Sequence, residues 1–539
     1  RGPAGGEGQA VWMRVPGGWP RTLAPLVLLA RLPRARPCEE LGNCSACVDH
    51  TKLGTHNCYW CEIDERCHGV GSSTPCSPRG EDDACVSESS ASGCSLRNSS
   101  ACRADHPARA SQVHLSLAGP GAMRVAWKTR GDMPKAMEVV VSANMSSERG
   151  TSTGVERSVQ YLSGHGHHHV AKLTGLAPGA TYQYRIVCDG VTTAYRTFEA
   201  PGGGEDASVL VIGDMGFGEN GQAIASRNRI EALRAEFDAV VHVGDIGYAD
   251  DAFLHGACRT GFCYESVYDH YMDWLENVSD SKPYMVAVGN HESECHSPAC
   301  QTSPSTKKSL SNFSAYNARF AMPSQESGGV ASMWYSFDHG PAHFVALNTE
   351  TDFPGAASEN WGDGGRVFGS PAGHFAPDGA YLRWLEADLA RANQNRAERP
   401  WVVAFGHRPG LWKNGSSRNE TMWAVHAPLL QRYGVDLYLA GHIHSYHRLL
   451  PAVGNDVVPT IVTGGAGCDE FSWDKKRMGI WDELGSNSLW DFRYFNNDTQ
   501  VGMLKVSREE LSFTAIASSS GDVIDFVSLR KDSLQSVHI

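Results

Sequence analysis

The sequence predicts a multidomain chain: a small disulfide-rich module, then a β-sandwich, then a larger α/β domain. Three observations carry this reading. Residues 38–102 hold ten of the sixteen cysteines and little apolar material. From Val113 to Ile186, apolar and polar residues alternate, as in half-buried strands. From Ser208 onward, short apolar runs alternate with helical patterns, which marks an α/β domain.

The elements follow in chain order. Met13–Ala35 has a basic start, an apolar core at Leu23–Ala30 and a small-residue end, so residues 1–36 read as a secretory signal or unstructured leader. The apolar run is too short to span a bilayer, no other stretch is longer, and Lys531–Ile539 lacks an anchor-type tail. No membrane span is therefore expected. Residues 37–105 form the cysteine-rich module, which cannot build an ordinary core and needs covalent staples. Its pairs Cys44/Cys47 and Cys58/Cys61 have zinc-type spacing, but the gap between them is short for a zinc ribbon, and disulfides are expected. Asn-x-Ser/Thr sites stand at Asn98, Asn144, Asn277, Asn312, Asn414, Asn419 and Asn497. Signal, cysteines and glycosylation sites together imply a secreted or extracellular protein, with a vacuolar or lysosomal lumen as the alternative.

Residues 110–200 are the β-sandwich. Val113-His-Leu-Ser-Leu117, Met123-Arg-Val-Ala-Trp127 and Tyr182-Gln-Tyr-Arg-Ile186 alternate, and Leu176-Ala-Pro-Gly179 is a turn signal. His165, His167, His168 and His169 crowd one stretch, read as a polar strand edge in preference to a metal site. Pro201–Gly204 reads as a linker. Residues 206–535 are the α/β domain. Ile230–Phe237 and Tyr381–Arg396 show helical spacing, and Val501–Lys531 returns to strand-like alternation. Thr351–His374 is long, Gly-rich and unpatterned, the kind of loop that is often functional.

Five apolar runs in this domain end alike. Val209–Gly213 leads to Asp214, Val240–Gly244 to Asp245, Tyr284–Gly289 to Asn290, Trp401–Gly406 to His407, and Leu437–Gly441 to His442. Each is a buried strand, a glycine, then a side chain able to bind metal. In open α/β sheets, sites lie just beyond the carboxyl ends of strands. Glycine frees the backbone there, so that the next side chain can project into the crevice. Packing alone does not produce five such endings. The set suits two metals, with Asp245 able to bridge them through its two carboxylate oxygens. In Gly441-His-Ile-His444, the i, i+2 histidines lie on one side of an extended segment. The formal net charge of −13 excludes a nucleic-acid binder, which needs a basic face. It does not exclude a phosphate site, because bound metals supply local positive charge.

These residues resemble a family. Gly213-Asp-Met-Gly216, Gly244-Asp-Ile-Gly-Tyr248, Gly289-Asn-His-Glu292, His407 and Gly441-His-Ile-His444 are similar, as an ordered set, to the five motifs of the purple acid phosphatases. The resemblance covers roughly residues 110–535. The fourth motif departs from Val-x-x-His and reads Ala404-Phe-Gly-His407. Leu173–Tyr182 looks like a fibronectin type III strand end, and Cys58-Tyr-Trp-Cys61 followed by Cys67 resembles the plexin–semaphorin–integrin cysteine module. The implied catalytic fold is the metallophosphoesterase β-sandwich flanked by helices.

Carried onto this sequence, the resemblance implies that Asp214, Tyr248 and His444 hold ferric iron, Fe(III). Asn290, His407 and His442 would hold a divalent zinc, manganese or iron, with Asp245 bridging. Wider metallophosphoesterases read Asp-x-His in the first motif; here Met215-Gly216 follows Asp214, and Tyr248 can fill the gap as a hard anionic ligand suited to trivalent iron. The implied reaction is hydrolysis of phosphate monoesters by a metal-bound hydroxide. His291, expected to face the open side, would protonate the leaving alcohol and favour an acidic optimum. Arg408, Lys413 and Arg418, and more weakly His374, are candidates to meet the phosphate. Cys258/Cys263 and Cys295/Cys300 are expected to staple the loops after the second and third motifs, within or across pairs. Small phosphorylated substrates are the expected partners; a protein partner through the cysteine-rich module and a homodimer stay open. Two rivals share the sequence evidence: a phosphodiesterase or nucleotide pyrophosphatase on the same fold, and a cell-surface binding protein with a vestigial site. The second would be expected to have lost ligands, yet all seven positions are filled.

Overall fold

A computed structural model describes residues 58–61, 66–69 and 85–86, and, from 106 to 531, all but 144–149, 203, 218–221, 255–260, 357–373, 413–415, 418–419, 453–456, 469–481 and 487–489. Residues 1–102 and 103–539 are separate compact units. In the first, β1 (Cys58–Cys61) pairs antiparallel with β2 (Arg66–Gly69) and with β3 (Cys85–Val86). The signal-like segment and most of the cysteine-rich module lie outside the described residues.

The second unit begins with two facing antiparallel sheets. One contains β4 (Ser111–Leu117), β5 (Met123–Thr129), β8 (Arg157–Val159) and β9 (His167–Leu173), in the order β4-β5-β9-β8. The other runs β11-β10-β6-β7, from β6 (Met137–Ser142), β7 (Thr151–Gly154), β10 (Thr181–Cys188) and β11 (Val191–Thr192), with β12 (Arg196–Glu199) also on β10. Val113, Leu115, Val125, Trp127, Val139, Tyr184 and Ile186 fill the space between them.

The histidine-rich stretch is not a strand edge. Strand β9 lies between β5 and β8, and His168 and His169 are buried. His169 reaches Thr129 Oγ1 and Ser158 Oγ, both at 2.8 Å, from the two neighbouring strands, while His168 stacks on Tyr161. Burial, followed by the nearby positive charge of His167, lowers His169 to a pKa of about 4, so it is neutral in its hydroxyl cradle. Hydroxyls supplied by adjacent strands, invisible to a local pattern, let imidazole sit inside the sheet.

The α/β domain packs two mixed sheets. The six-stranded sheet is ordered β15-β14-β13-β26-β27-β28. It contains β13 (Ala207–Ile212), β14 (Ala239–His242), β15 (Tyr284–Val286), β26 (Gln500–Val506), β27 (Glu510–Ala517) and β28 (Val523–Arg530). The eight-stranded sheet is ordered β16-β17-β18-β21-β23-β22-β25-β24. Its strands are β16 (Tyr335–His339), β17 (Ala342–Ala346), β18 (Trp401–Phe405), β21 (Leu437–Ala440), β22 (Tyr446–Pro451), β23 (Thr460–Thr463), β24 (Asp482–Ser486) and β25 (Trp490–Phe495). Strands β13, β14 and β15 are parallel in the first sheet; β17, β18, β21 and β23 are parallel in the second. Parallel strands are covered on both faces, which is why β18 and β21 are built of apolar and aromatic residues, why β14 is apolar up to His242, and why all three are fully buried.

Helices Tyr264–Ser279, Ala380–Gln394 and Glu420–Arg432 connect the parallel strands, the last preceded by the antiparallel pair β19 (Leu411–Trp412) and β20 (Ser416–Ser417). The helix expected at Ile230–Phe237 begins earlier, at Gln222–Ala232; Phe237 falls beyond it but is buried, so its apolar side chain serves the core from a turn. Helix Tyr264–Ser279 buries Tyr264, Tyr268, Tyr271, Met272, Leu275 and Val278, one face at helical spacing. Leu115 of β4 bridges to Pro283 just before β15, and the sandwich and the α/β domain share one apolar core.

Candidate metal centre

All five predicted ligand-bearing strand ends are carboxyl ends of parallel strands. Three belong to one sheet and two to the other, so the ligands meet where the two sheets' ends face the same crevice. Two of the glycines that precede predicted ligands have a second role. A Cβ at Gly289 would stand 2.2 Å from Asp245 Oδ1, and one at Gly441 would stand 2.4 Å from Asp214 Oδ2. Each bare backbone makes room for a ligand delivered by a different strand.

The predicted ligands fall into two adjoining groups. Tyr248 Oη lies 3.2 Å from Asp214 Oδ1 and 3.1 Å from His444 Nε2, and His444 Nε2 lies 3.4 Å from Asp214 Oδ1. His407 Nε2 lies 3.1 Å from Asn290 Oδ1 and 2.9 Å from Asp245 Oδ2. Asp245, His407 and His442 offer ligand atoms within 4.8 Å of one another. The backbone N–H of His442 donates to both Asp214 oxygens, at 3.0 and 2.9 Å, tying the groups together.

Three features show that this donor set fits cations. Asp214, Asp245 and His407 are buried, with a phenol, an amide oxygen and further imidazoles beside them. Burial pushes His407 down, yet Asp245 and then Asp214 outweigh it and push it up to about 9. The site thus carries negative charge that a proton offsets when no metal does. Asp214, Asp245, Tyr248 and His442 all have left-handed backbone, with φ of 56°, 52°, 48° and 67°. Such conformations cost of order 1–3 kcal/mol each and cluster at functional sites.

Supporting groups absent from the sequence reading surround these. Glu292 accepts N–H bonds from Asp245 and Gly289 at 2.9 Å and from Ile246 at 2.8 Å, so one carboxylate fixes the second- and third-motif loops. Burial and then the neighbouring Asp245 push it up to about 8. Its signal was present, as the last residue of Gly289-Asn-His-Glu292. Asp250 and His296 flank His291, and Glu350 holds Arg408; none of these belongs to a strand ending. Glu350 has no local signal at all.

The remaining expected residues are placed as follows. His291 does not face the open side: its side chain is 5% exposed, its ring lies 4.2 Å from that of Tyr248, and its Nδ1 lies 3.0 Å from each Asp250 oxygen. The Asp250 carboxylate, buried alongside, draws the ring inward. Its Nε2 lies 3.9 Å from Asp245 Oδ2, on the side of the predicted ligands. Arg408 is also buried: its Nε lies 3.0 Å from both Glu350 oxygens, and its Nη1 lies 3.2 Å from His442 Nε2. His374 is 68% exposed, with its ring 4.0 Å from Asp352. Lys413 and Arg418 lie outside the described residues, as do Asn98, Asn144, Asn414, Asn419 and most of the Thr351–His374 loop. Asn277, Asn312 and Asn497 are exposed. Cys295 and Cys300 are joined within their pair, Cys263 is disulfide-bonded, and Cys188 and Cys468 are buried thiols.

Residues 207–446 match the calcineurin-like phosphoesterase family, and residues 110–200 match the purple acid phosphatase N-terminal domain. Acid phosphatase type 7 of Mus musculus is 34% identical over 405 residues, covering 67% of this chain and 78% of that protein. Acid phosphatase A of Cryphonectria parasitica is 28% identical over 480 residues, covering 78% of this chain and 91% of that protein. Among solved structures, the purple acid phosphatase PPD1 from yellow lupin seeds shares the fold, with a TM-score of 0.58 at 18% identity over 79% of this chain and 75% of that one. Together with a two-sheet fold that gathers the ligand-type residues at its strand ends, these matches place the chain in the purple acid phosphatase family.

Proposed function

We propose that this chain is an acid phosphatase that hydrolyses phosphate monoesters at a dinuclear centre of Fe(III) and a divalent zinc, manganese or iron. The observation that carries the reading is the convergence of Asp214, Asp245, Tyr248, Asn290, His407, His442 and His444 in one buried crevice. Asp214, Tyr248 and His444 form the oxygen-rich group that suits ferric iron. Asn290, His407 and His442 would hold the divalent ion, and Asp245, which adjoins them, would be shared between the two metals. When bound, the two metals lower the pKa of water and neutralise phosphoryl charge.

The chain's own residues do the rest. Asp250 is a carboxylate held below its usual range: burial pushes it up, but His291 and then His296 outweigh that. It accepts the Nδ1–H of His291 and leaves Nε2 toward the reacting side. Burial lowers the His291 pKa, but Asp250 and then Asp245 outweigh it and hold His291 well above the usual histidine range. With Nδ1 committed to Asp250, Nε2 is the ring atom that would hand a proton to the leaving alcohol. Glu350 fixes the Arg408 guanidinium beside His442, at the edge of the crevice where a phosphate oxygen would arrive.

Disulfide-bonded Cys295–Cys300 and exposed sequons at Asn277, Asn312 and Asn497 support an oxidising, secreted or lumenal location. Among the described residues, no helix is long and apolar enough to cross a membrane.

Two measurements test the chemistry. His291→Ala is expected to slow an alkyl phosphate by roughly 10²-fold or more, the lower end of general acid catalysis. Nitrophenyl phosphate, whose leaving group needs no proton, should be slowed far less; equal losses on both esters would remove His291 from the acid role. Purified protein is expected to show a visible tyrosinate-to-iron absorption that Tyr248→Phe abolishes. Iron-loaded protein without that band would refute the Tyr248 ligand.

A further inference from the structure

His296 is a buried titratable group beside the site that the proposed reaction leaves unused. It belongs to a turn fixed from several sides. Cys295 and Cys300 are joined by a disulfide, and the Ser297 side chain accepts the Cys300 N–H at the start of the short Pro298–Gln301 helix. The Cys295 N–H donates to Leu310 at 3.2 Å, and the Gln301 amide donates to the Cys295 carbonyl at 2.6 Å.

This turn drives His296 against Asp250. The His296 backbone N–H donates to the Asp250 carbonyl at 3.0 Å, and His296 Nδ1 lies 2.7 Å from Asp250 Oδ2. Glu294 Oε1 lies 3.9 Å from the other ring nitrogen. The same Asp250 carboxylate, fully buried, takes His291 Nδ1 at 3.0 Å. An ionised carboxylate has no proton to give, so both imidazoles donate from Nδ1. Asp250 is thus held between two rings, and its orientation sets that of His291. With Nδ1–H committed, the His291 tautomer is fixed and Nε2 is turned toward the ligand side. Residues that orient a functional group through its second nitrogen matter nearly as much as the group itself.

We propose that His296 is a positioning residue: it clamps Asp250 so that Asp250 presents His291 Nε2 to the leaving-group oxygen. This rests on the reading of His291 as the proton donor. The structural alternative is that His296 only fills space beneath the disulfide-bonded turn.

The experiment compares His296→Leu, His296→Asn and His296→Gln in the metal-loaded full chain, on an alkyl phosphate and on nitrophenyl phosphate. Asparagine can place its amide N–H near the lost Nδ1–H; glutamine carries it one carbon further, toward Nε2. His296→Leu is expected to lower kcat on the alkyl ester about 10- to 100-fold, the range for an outer partner of a functional group. KM and nitrophenyl phosphate turnover should stay within about twofold. His296→Asn should recover most of the loss and His296→Gln little of it, which decides the matter even if the leucine variant folds poorly. In a His291→Ala background, His296→Leu should add nothing on the alkyl ester, because effects through one group are not additive. Equal losses on both esters, no advantage of asparagine over glutamine, or full additivity with His291→Ala would overturn the proposal. If His291→Ala itself slows both esters equally, the acid reading fails instead, and the variants then report only on a fold contact.

Discussion

Asp245→Asn is expected to empty the centre of at least one metal and to lower kcat on nitrophenyl phosphate by about 10³-fold or more. The magnitude follows from charge stabilisation worth several kcal/mol, at about 1.4 kcal/mol per tenfold. The substitution removes one negative charge and keeps the shape. Asparagine tolerates the left-handed backbone at this position, where φ is 52°, so the loop should survive. The Glu292 clamp on the Asp245 and Ile246 N–H groups also stays. What is lost is the oxygen that faces His407 Nε2 at 2.9 Å and the anion the metals would share. Metal content by elemental analysis and steady-state turnover provide the check. Two full metal equivalents with near wild-type kcat would rule out Asp245 as the bridge.

Arg319→Met is expected to lower stability by about 3–5 kcal/mol, a large share of a typical total of about 5–15 kcal/mol. Arg319 lies at the end of the short Ser314–Arg319 helix with a fully buried side chain. Its guanidinium reaches Glu265 at 2.9 Å and Asp269 at 3.0 Å on one long helix, and Gln112 at 3.2 Å and Tyr161 at 3.0 Å in the first sandwich. Lys128 of that sandwich adds a 2.6 Å bond to Asp269. This network joins the two domains. Methionine matches the volume but leaves Glu265 and Asp269 with one cation where there were two. Burial pushes Asp269 up, yet Arg319 and then Lys128 outweigh that and hold it at about 2. A depressed carboxylate contributes stability that is complete above its unfolded value of about 3.9 and is lost as pH falls toward the folded one. The Arg319→Met deficit should therefore be largest above about pH 4 and shrink between about pH 4 and 2. Urea unfolding at several pH values tests this. A loss under about 1 kcal/mol at pH 6 would show the network to be dispensable.

The residues that converge on the centre were legible because their code is local. A continuous apolar run, a glycine and a ligand-type side chain occupy fewer than ten residues, and each instance can be read alone. Asp214, Asp245, Asn290, His407 and His442 all proved to stand just past strand ends in parallel runs. Tyr248 and His444 were legible through their short spacing from Asp245 and His442. Where local pattern was the wrong guide, a distant partner explains it. The histidines of β9 looked polar and exposed, yet His168 and His169 are buried, His169 between the hydroxyls of Thr129 and Ser158 and His168 against Tyr161. His291 looked open because it follows Asn290, yet Asp250, 41 residues earlier, draws it inward.

By itself, then, the sequence determined that a β-sandwich precedes an α/β domain, the identity of the clustered ligand-type residues and their place at strand ends. Periodicity and glycine placement are consequences of backbone geometry that act over a few residues. Only the tertiary structure decided that Gly289 makes room for Asp245 and Gly441 for Asp214, that Asp250 is shared by His291 and His296, and that Arg319 meets Gln112 across 207 residues of chain. Those contacts arise from the packing of two sheets and two domains against each other. That packing brings together side chains with no local relation, so no window along the chain contains it.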